Sequence, residues 1–193
     1  MAARLVSYLG RLVVDRIFLI LALVGNSVLI VALALGWSIG DGTVATREVQ
    51  SAVGVHMLVA MGAALIVLLV HAVALTYFMG TGRWIEETST AYQLGDDARR
   101  RNIQLKYRIL LPLVLSTLLV LATGAFGAIA DPTSDVSMPS AKLIHFSLAI
   151  STLLVNIVAS VVEYTSIRRN GDVVNQVVQE VNRIRVSKGL EVG

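Results

Sequence analysis

Four stretches of this sequence are long and apolar enough to cross a lipid bilayer. A helix that rises about 1.5 Å per residue needs roughly 20 apolar residues to span the hydrocarbon core. The first three stretches contain no Asp, Glu, Lys or Arg, and the fourth contains only Glu163. Unpaired backbone groups are too costly in lipid, and alternating ten-residue segments of the β-barrel type do not occur, so we predict helices. The predicted spans are residues 17–37, 53–79, 109–130 and 143–167.

The composition supports a membrane protein and excludes several other classes. Of the 193 residues, 55% are hydrophobic and 15% are charged, whereas about a quarter of the residues in a soluble domain are charged. This balance disfavours both a water-soluble enzyme and a disordered chain. The sequence contains no cysteine, which excludes disulfides, thiolate metal sites and iron–sulfur ligation. The predicted fold class is an all-α integral membrane protein with a four-transmembrane-helix bundle.

Cationic residues lie almost entirely on one side of the predicted spans. Of the 16 Lys and Arg residues, all except Arg47 and Lys142 fall in the amino-terminal segment, the connection between spans two and three, or the tail. The positive-inside rule therefore predicts that both termini and the middle connection are cytoplasmic. We expect a multi-pass protein of a bacterial inner membrane, with the two short loops outside. The net charge of +3 reflects this topology, and no nucleic acid partner is predicted.

The sequence divides into three parts around the membrane region. Residues 1–16 combine apolar and cationic side chains at helical spacing, which predicts an interfacial amphipathic helix. Residues 17–167 form the four-span membrane domain. Residues 168–193 form a predicted cytoplasmic amphipathic tail, with a narrow apolar seam that starts at Val174. This seam favours packing under the membrane or on a partner protein, and homo-oligomerisation through it is the alternative.

A weak internal repeat relates spans one and two to spans three and four. Pairing His56 with His145 also pairs Ala60 with Ala149. Two hairpins of similar length produce such matches by chance as well as by duplication. If the two halves are duplicated, spans two and four are symmetry mates.

Two of the three histidines lie near the outer end of their spans. His56 is the fourth residue of span two and His145 is the third residue of span four, and both spans enter the membrane from the same side. Two imidazoles on facing helices are the axial ligand set of a six-coordinate haem b. Arg47 and Lys142 lie beside them and are the expected partners of the haem propionates. The alternatives are a metal or quinol site at this end, and plain interhelical packing of the two rings.

Each predicted span also contributes one polar side chain at a comparable depth. Interhelical hydrogen bonds that fix helix rotation explain such a layer, at about 0.6 kcal/mol per contact. A proton or cation relay, or an axial ligand for a second cofactor, is the functional alternative. Glu163, near the inner end of span four, is expected to form an ion pair with Arg16, Arg83 or Lys106. The layer consists of Asn26, His71, Thr117 and Asn156.

The sequence carries no motif for autonomous catalysis. It has no phosphate-binding glycine loop, zinc-protease helix or nucleophile elbow, and the segments outside the spans are too short for a catalytic domain. In architecture, four spans with histidines buried at one end resemble the membrane anchors of respiratory complexes, such as cytochrome b-type subunits. We therefore expect a non-catalytic electron-transfer subunit that binds haem b, assembles with other membrane subunits and exchanges electrons with the quinone pool. The alternatives are a structural or assembly subunit without a cofactor, and a small oligomeric transporter or channel.

Overall fold

The structure, a computed structural model, consists of four long α-helices. It describes residues 2–40 and 46–190, with side chains from residue 14 onward, and no strand occurs in these ranges. The described residues are all-helical, as predicted, and all four helices are long and apolar enough to cross a membrane. The helices are α1 (Ala2–Ser38), α2 (Arg47–Tyr92), α3 (Asp97–Ala130) and α4 (Ala141–Ser187).

Many side chains that point inward are smaller and more polar than those that point outward. Ala63 and Ser116 are fully buried, whereas Leu58 and Leu118 are 69% and 58% exposed. A water-soluble bundle has the opposite distribution, with its large aliphatic side chains inside. Small inward residues let helices approach closely when the outer surface faces lipid. The pattern is therefore typical of a bundle that lies in a membrane.

The helices α2 and α4 extend well beyond the predicted spans. They have 46 and 47 residues, so both continue as regular helices into the polar sequence that follows Met79 and Ile167. A buried cluster of Ile85, Val173 and Val177 packs the two extensions together. Up to Ser187, the segment predicted as a separate tail is thus the continuation of α4, with its apolar seam packed against α2.

Two helices run through positions at which the sequence would allow a break. The helix α1 is continuous from Ala2 to Ser38, so the predicted interfacial segment, residues 1–16, joins the first span directly. The side chains of residues 1–13 lie outside the described residues. Pro112 lies inside α3, where its missing N–H removes one helical hydrogen bond.

Local side-chain contacts set two helix ends at the short loops. Thr46 caps α2, because its Oγ1 accepts a hydrogen bond of 3.3 Å from the N–H of Val49. After α3, the Asp131 carboxylate accepts hydrogen bonds from the hydroxyl and the N–H of Thr133, at 2.6 and 2.7 Å, which is the pattern of an Asx turn. These bonds from Thr133 lower the pKa of the Asp131 carboxyl below its ordinary value.

The chain folds into two compact units, each of which contains a segment of all four helices. Unit 1 comprises Met1–Ile20, His71–Leu111 and Val161–Gly193, and unit 2 comprises Leu21–Val70 and Pro112–Ser160. In unit 2, the carboxyl ends of α1 and α3 and the amino ends of α2 and α4 lie together. We call this the short-loop end of unit 2.

Unit 1 has a core of large apolar side chains and buried amides. Phe18 and Phe78 are each 1% exposed. Asn102 Nδ2 on α3 donates a 2.8 Å hydrogen bond to Asn170 Oδ1 on α4, and Asn170 Nδ2 donates to Thr81 Oγ1 on α2, also at 2.8 Å. These amide bonds fix the relative register of three helices in unit 1.

Candidate functional site

The structure brings His56 and His145 together at the short-loop end of unit 2. His56 lies on the third turn of α2, and His145 lies on the second turn of α4. The centroids of the two rings are 6.1 Å apart, and the ring planes are inclined at 81°. Both side chains are half-buried. The two histidines that the sequence places at one level therefore lie side by side between α2 and α4.

A backbone carbonyl holds each histidine in one tautomer. Nδ1 of His56 lies 3.0 Å from the carbonyl oxygen of Ala32 on α1, and Nδ1 of His145 lies 2.9 Å from the carbonyl oxygen of Thr123 on α3. A carbonyl oxygen only accepts hydrogen bonds, so Nδ1 is the protonated nitrogen in both rings. In the neutral imidazole, Nε2 then carries the free lone pair. Histidine ligands of metal sites adopt this arrangement.

A glycine makes room for each imidazole on the preceding helix. A β-carbon at Gly36 would lie 2.9 Å from Cε1 of His56, and a β-carbon at Gly127 would lie 2.9 Å from Cε1 of His145. Both distances are too short for real β-carbons. Each glycine follows, by one helical turn, the carbonyl that accepts from the same ring. The missing side chain therefore lets the ring approach the backbone of the preceding helix.

The two hairpins of unit 2 repeat one arrangement. In each, a carbonyl, a glycine one turn later and a histidine on the next helix make the same set of contacts. This correspondence makes His56 and His145 equivalent, in agreement with their pairing in the sequence. The spacing from glycine to histidine differs by two residues between the hairpins. An alignment of the two hairpins without gaps, which pairs His56 with His145, therefore does not pair Gly36 with Gly127.

The separation of the two rings matches that of two imidazoles on opposite sides of one metal ion. A metal–imidazole bond is about 2.0 Å long, the coordinating nitrogen lies about 1.1 Å from the ring centre, and opposed ligands thus have centroids about 6 Å apart. The observed distance is 6.1 Å. Within the described residues, no group of three or more His, Cys, Asp or Glu side chains is placed to hold a metal ion. Two nitrogen ligands suit a cofactor that supplies the remaining ligands itself.

Two cationic side chains lie on the helices that carry the histidines. Arg47 is the first residue of α2, and Lys142 is the second residue of α4. Both side chains are exposed. The short-loop end of unit 2 therefore carries two positive charges on the elements that position His56 and His145.

The sequence does not reveal several contacts that support the histidines. Trp37, which follows Gly36, packs against Phe146, which follows His145, with ring centroids 5.2 Å apart. Thr123, whose carbonyl accepts from His145, shares a 2.7 Å hydrogen bond with Thr152 on α4. In the sequence, Trp37 and Phe146 stand out only because they adjoin Gly36 and His145. The sequence of one helix does not show which residues it contacts on another helix.

Of the four residues predicted for a polar layer, Asn26 and Asn156 bond to each other in unit 2, and Ser116, not Thr117, bonds to Asn156. Asn156 Nδ2 donates to Asn26 Oδ1 at 3.0 Å, and Asn26 Nδ2 donates to Ser160 Oγ at 3.2 Å. Ser116 Oγ donates to Asn156 Oδ1 at 3.1 Å. Thr117 is half-buried, because a helix turns by about 100° per residue and its neighbour already points inward. A hydrogen-bonded network thus joins α1, α3 and α4.

His71, the fourth residue predicted for this layer, is bonded elsewhere. Its Nδ1 lies 2.8 Å from Oε1 of Glu163 in unit 1, and the two side chains are 3% and 0% exposed. The predicted partner of Glu163 was Arg16, Arg83 or Lys106, and that prediction is wrong. Glu163 points into the core of unit 1, whereas the side chain of Arg83 is 82% exposed on the surface.

The candidate functional site is thus a pair of imidazoles with fixed tautomers at the short-loop end of unit 2. Each ring is positioned by the neighbouring helix of its own hairpin. Each ring has Nε2 as its unprotonated nitrogen, the kind of atom that ligates metals in proteins. No protein-family model, no curated protein and no solved structure matches this chain. Its function is therefore inferred from the chemistry of its own residues.

Proposed function

We propose that this chain is an integral membrane electron-transfer subunit that binds haem b between His56 and His145. The observation that carries the proposal is the pair of half-buried imidazoles, 6.1 Å apart, each donating its Nδ1–H to a backbone carbonyl. A porphyrin supplies four nitrogens to its iron, so two axial histidines complete the coordination. Helix bundles hold such cofactors between side chains of facing helices.

Two axial histidines also determine which chemistry this site supports. A haem held by both His56 and His145 would supply exchange of single electrons, because its iron would have no position left for oxygen or substrate. The hydrogen bonds from Nδ1 to the carbonyls of Ala32 and Thr123 orient the rings and increase the basicity of Nε2. A non-catalytic role inside a larger assembly fits these properties.

The positions of Arg47 and Lys142 support the proposal. Haem b carries two propionates, and carboxylates at a membrane need cationic or aqueous neighbours. Arg47 and Lys142 are exposed side chains on the first turns of α2 and α4, the two helices that carry the histidines. We assign them the role of propionate partners.

We place the protein in a bacterial inner membrane, with both termini in the cytoplasm. The uneven distribution of its 16 Lys and Arg residues supports this orientation. The short-loop end and its haem then face the outside. In this arrangement, the subunit passes electrons between a partner at the outer face and the quinone pool or a neighbouring cofactor. Other membrane subunits, or a second copy of the chain, are the expected partners.

A structural or assembly subunit without a cofactor is the second candidate. The hydrogen-bond network around Asn26 and Asn156 favours this function, because such bonds fix helix rotation in a membrane without any ligand. In that case, His56 and His145 serve only to join α2 to α1 and α4 to α3.

An absorption spectrum of the purified protein in detergent tests the proposal. After haem-replete expression, we expect a Soret band and, on reduction with dithionite, sharp α and β bands with equimolar haem and protein. His56→Ala or His145→Ala should remove these bands. The matched control is Ser147→Ala, since Ser147 is exposed and bonds only within α4. A colourless wild-type protein with iron far below stoichiometry would reject the haem site and favour the structural subunit.

A further inference from the structure

A cavity of about 340 Å³ lies in unit 2, between the first turns of α2 and the loop that follows α3. Neither histidine lines it, but three of its lining residues flank His56 along α2: Val53, Gly54 and Met57. All of its lining residues belong to unit 2. An occupant of this cavity would therefore lie next to the turns of α2 that carry a proposed haem ligand.

The lining of the cavity combines apolar and polar side chains. Ligand cavities of this kind enclose an apolar body and orient it through a few polar groups. Met57 is 51% exposed, so the cavity borders the outer surface of the bundle, where large apolar side chains face outward. An apolar ligand can thus enter from the side. The apolar lining residues are Val53, Met57 and Pro132, and the polar ones are Gln50, Asp131 and Thr133.

The charge of the lining restricts the chemistry of the occupant. Among the described residues, no cationic side chain lines the cavity, and Asp131 contributes a carboxylate. An anionic group, such as a phosphate, would therefore be repelled. Both hydrogen bonds from Thr133 fall on Oδ1 of Asp131 and lower the pKa of this carboxyl group. Oδ2 remains to accept a hydrogen bond, so the cavity suits a molecule that supplies a donor.

A lipid-soluble hydroquinone satisfies the size, the polarity and the charge of the cavity. Its substituted ring suits Val53 and Met57, and one of its hydroxyl groups can donate to Asp131. The amide of Gln50 can donate to or accept from the other oxygen. An ammonium group would also suit the carboxylate, but it has no electrons to give to a haem at His56.

We propose that this cavity binds a hydroquinone, which donates its electrons to the haem held by His56 and His145. This inference rests on the proposed function and names the class of its electron donor. The hydroquinone loses two electrons and the protons of its two O–H groups, and its two C–O single bonds become the C=O bonds of a quinone. The electrons pass to ferric haem one at a time, and the first moves on to a partner protein before the second arrives. The protons go to water at the short loop.

The Asp131 carboxylate also distinguishes the reduced ligand from the oxidised one. A quinone has carbonyl oxygens that only accept hydrogen bonds, so it has nothing to donate to Asp131. A hydrogen bond to a charged group is among the stronger ones in proteins, and we expect the hydroquinone to bind about 10-fold more tightly than its quinone. The oxidised product is thus released in favour of a new donor.

Anaerobic calorimetric titration of the haem-free chain in detergent tests the cavity without electron transfer. Tetramethylhydroquinone should bind at one site per chain, about 10-fold more tightly than tetramethylquinone. Gly54→Leu should abolish binding, because a β-carbon at Gly54 meets nothing within 4 Å and the leucine extends into the cavity. Gly62→Leu is the matched control on α2, since a β-carbon there also meets nothing within 4 Å and Gly62 does not line the cavity. Absence of binding to the wild type, or equal binding by the two variants, would overturn the inference.

The carboxylate is tested by Asp131→Asn, which keeps the shape of the side chain and removes its charge. We expect this variant to lose the preference for the hydroquinone over the quinone. Asp135→Asn removes an exposed carboxylate from the same loop and should retain the preference. A preference that survives in Asp131→Asn would show that the carboxylate does not select the ligand, and would contradict the assignment of a hydroquinone.

Stopped-flow reduction of the haem-loaded chain separates this inference from the proposed function. Tetramethylhydroquinone should reduce the haem at least 10-fold more slowly in Gly54→Leu than in Gly62→Leu, whereas dithionite should reduce both equally. Equal rates with the hydroquinone would overturn the inference and leave the haem site standing. A chain that binds no haem but still binds the hydroquinone would overturn the electron-transfer function and the donation step, and would support the cavity as a hydroquinone site.

Discussion

Gly36 lies so close to His56 that a β-carbon on the glycine would come within 2.9 Å of the ring atom Cε1. Gly36→Ala should therefore displace the imidazole from α1 and break its 3.0 Å contact with the Ala32 carbonyl. Loss of such an orienting partner typically weakens metal binding by about 10- to 100-fold, and we expect a loss of this size in haem affinity. Titration of the haem-free protein with haem, followed in the Soret band, measures it.

Two other glycines on α3 provide the comparison for this prediction. Gly127 contacts His145 as Gly36 contacts His56, so Gly127→Ala should weaken haem binding to a similar extent. A β-carbon at Gly124 meets nothing within 4 Å. Gly124→Ala should leave the spectrum unchanged and stabilise the helix by roughly 1 kcal/mol. Equal haem affinity in Gly124→Ala and Gly127→Ala would contradict the site.

The angle of 81° between the planes of His56 and His145 predicts the EPR signal of the oxidised protein. Perpendicular axial imidazoles interact about equally with the two iron orbitals that extend above and below the porphyrin plane, so these orbitals stay close in energy. We expect a low-spin signal with one very large principal g value. A signal with three well-separated g values would show that the rings are parallel, and a high-spin signal would show that one histidine is not a ligand.

Lys142 should raise the reduction potential of the haem if it lies near a propionate. A positive charge favours the ferrous state, which carries one more electron. Lys142→Glu should therefore lower the midpoint potential by tens of millivolts, and the effect should shrink at high salt because the side chain is exposed. Lys188→Glu makes the same change of charge beyond the end of α4. A redox titration in which both variants shift equally would argue against a specific role for Lys142.

Asn156 should contribute measurably to the stability of the bundle. It donates to Asn26 and accepts from Ser116, so Asn156→Ala removes two interhelical hydrogen bonds. At about 0.6 kcal/mol for each, the expected loss in the free energy of unfolding is about 1 kcal/mol. Unfolding in mixed micelles measures this loss. Ser151→Ala is the control, because Ser151 bonds only to the carbonyl of Ser147 on its own helix, and an equal loss there would contradict the role of the network.

The apolar length of four stretches was sufficient to predict four helices, but not where the helices end. Bilayer thickness sets the minimum length of a span, whereas a helix continues for as long as its side chains find contacts. The helices α2 and α4 continue beyond the bilayer length because Ile85 packs against Val173 and Val177. These residues are far apart in the sequence, so the periodicity of either helix alone does not reveal their contact.

The relative level of His56 and His145 along the bundle could be predicted, and helix rotation could not. Counting residues from one membrane face places His56 and His145 at the same level, and the structure has their rings 6.1 Å apart. Rotation depends on packing between helices, and a change of one residue turns a side chain by about 100°. For this reason the sequence indicated Thr117 where Ser116 points inward, and did not show that His71 turns toward Glu163.

Each histidine is prepared entirely by the hairpin to which it belongs, since α1 supplies the carbonyl and glycine for His56 and α3 supplies them for His145. The ribosome delivers the first hairpin to the membrane before the second is synthesised. His56 can therefore reach its orientation against α1 before α3 is synthesised. Docking of the second hairpin then brings the two preformed halves together, so the proposed haem would enter only after both halves have folded.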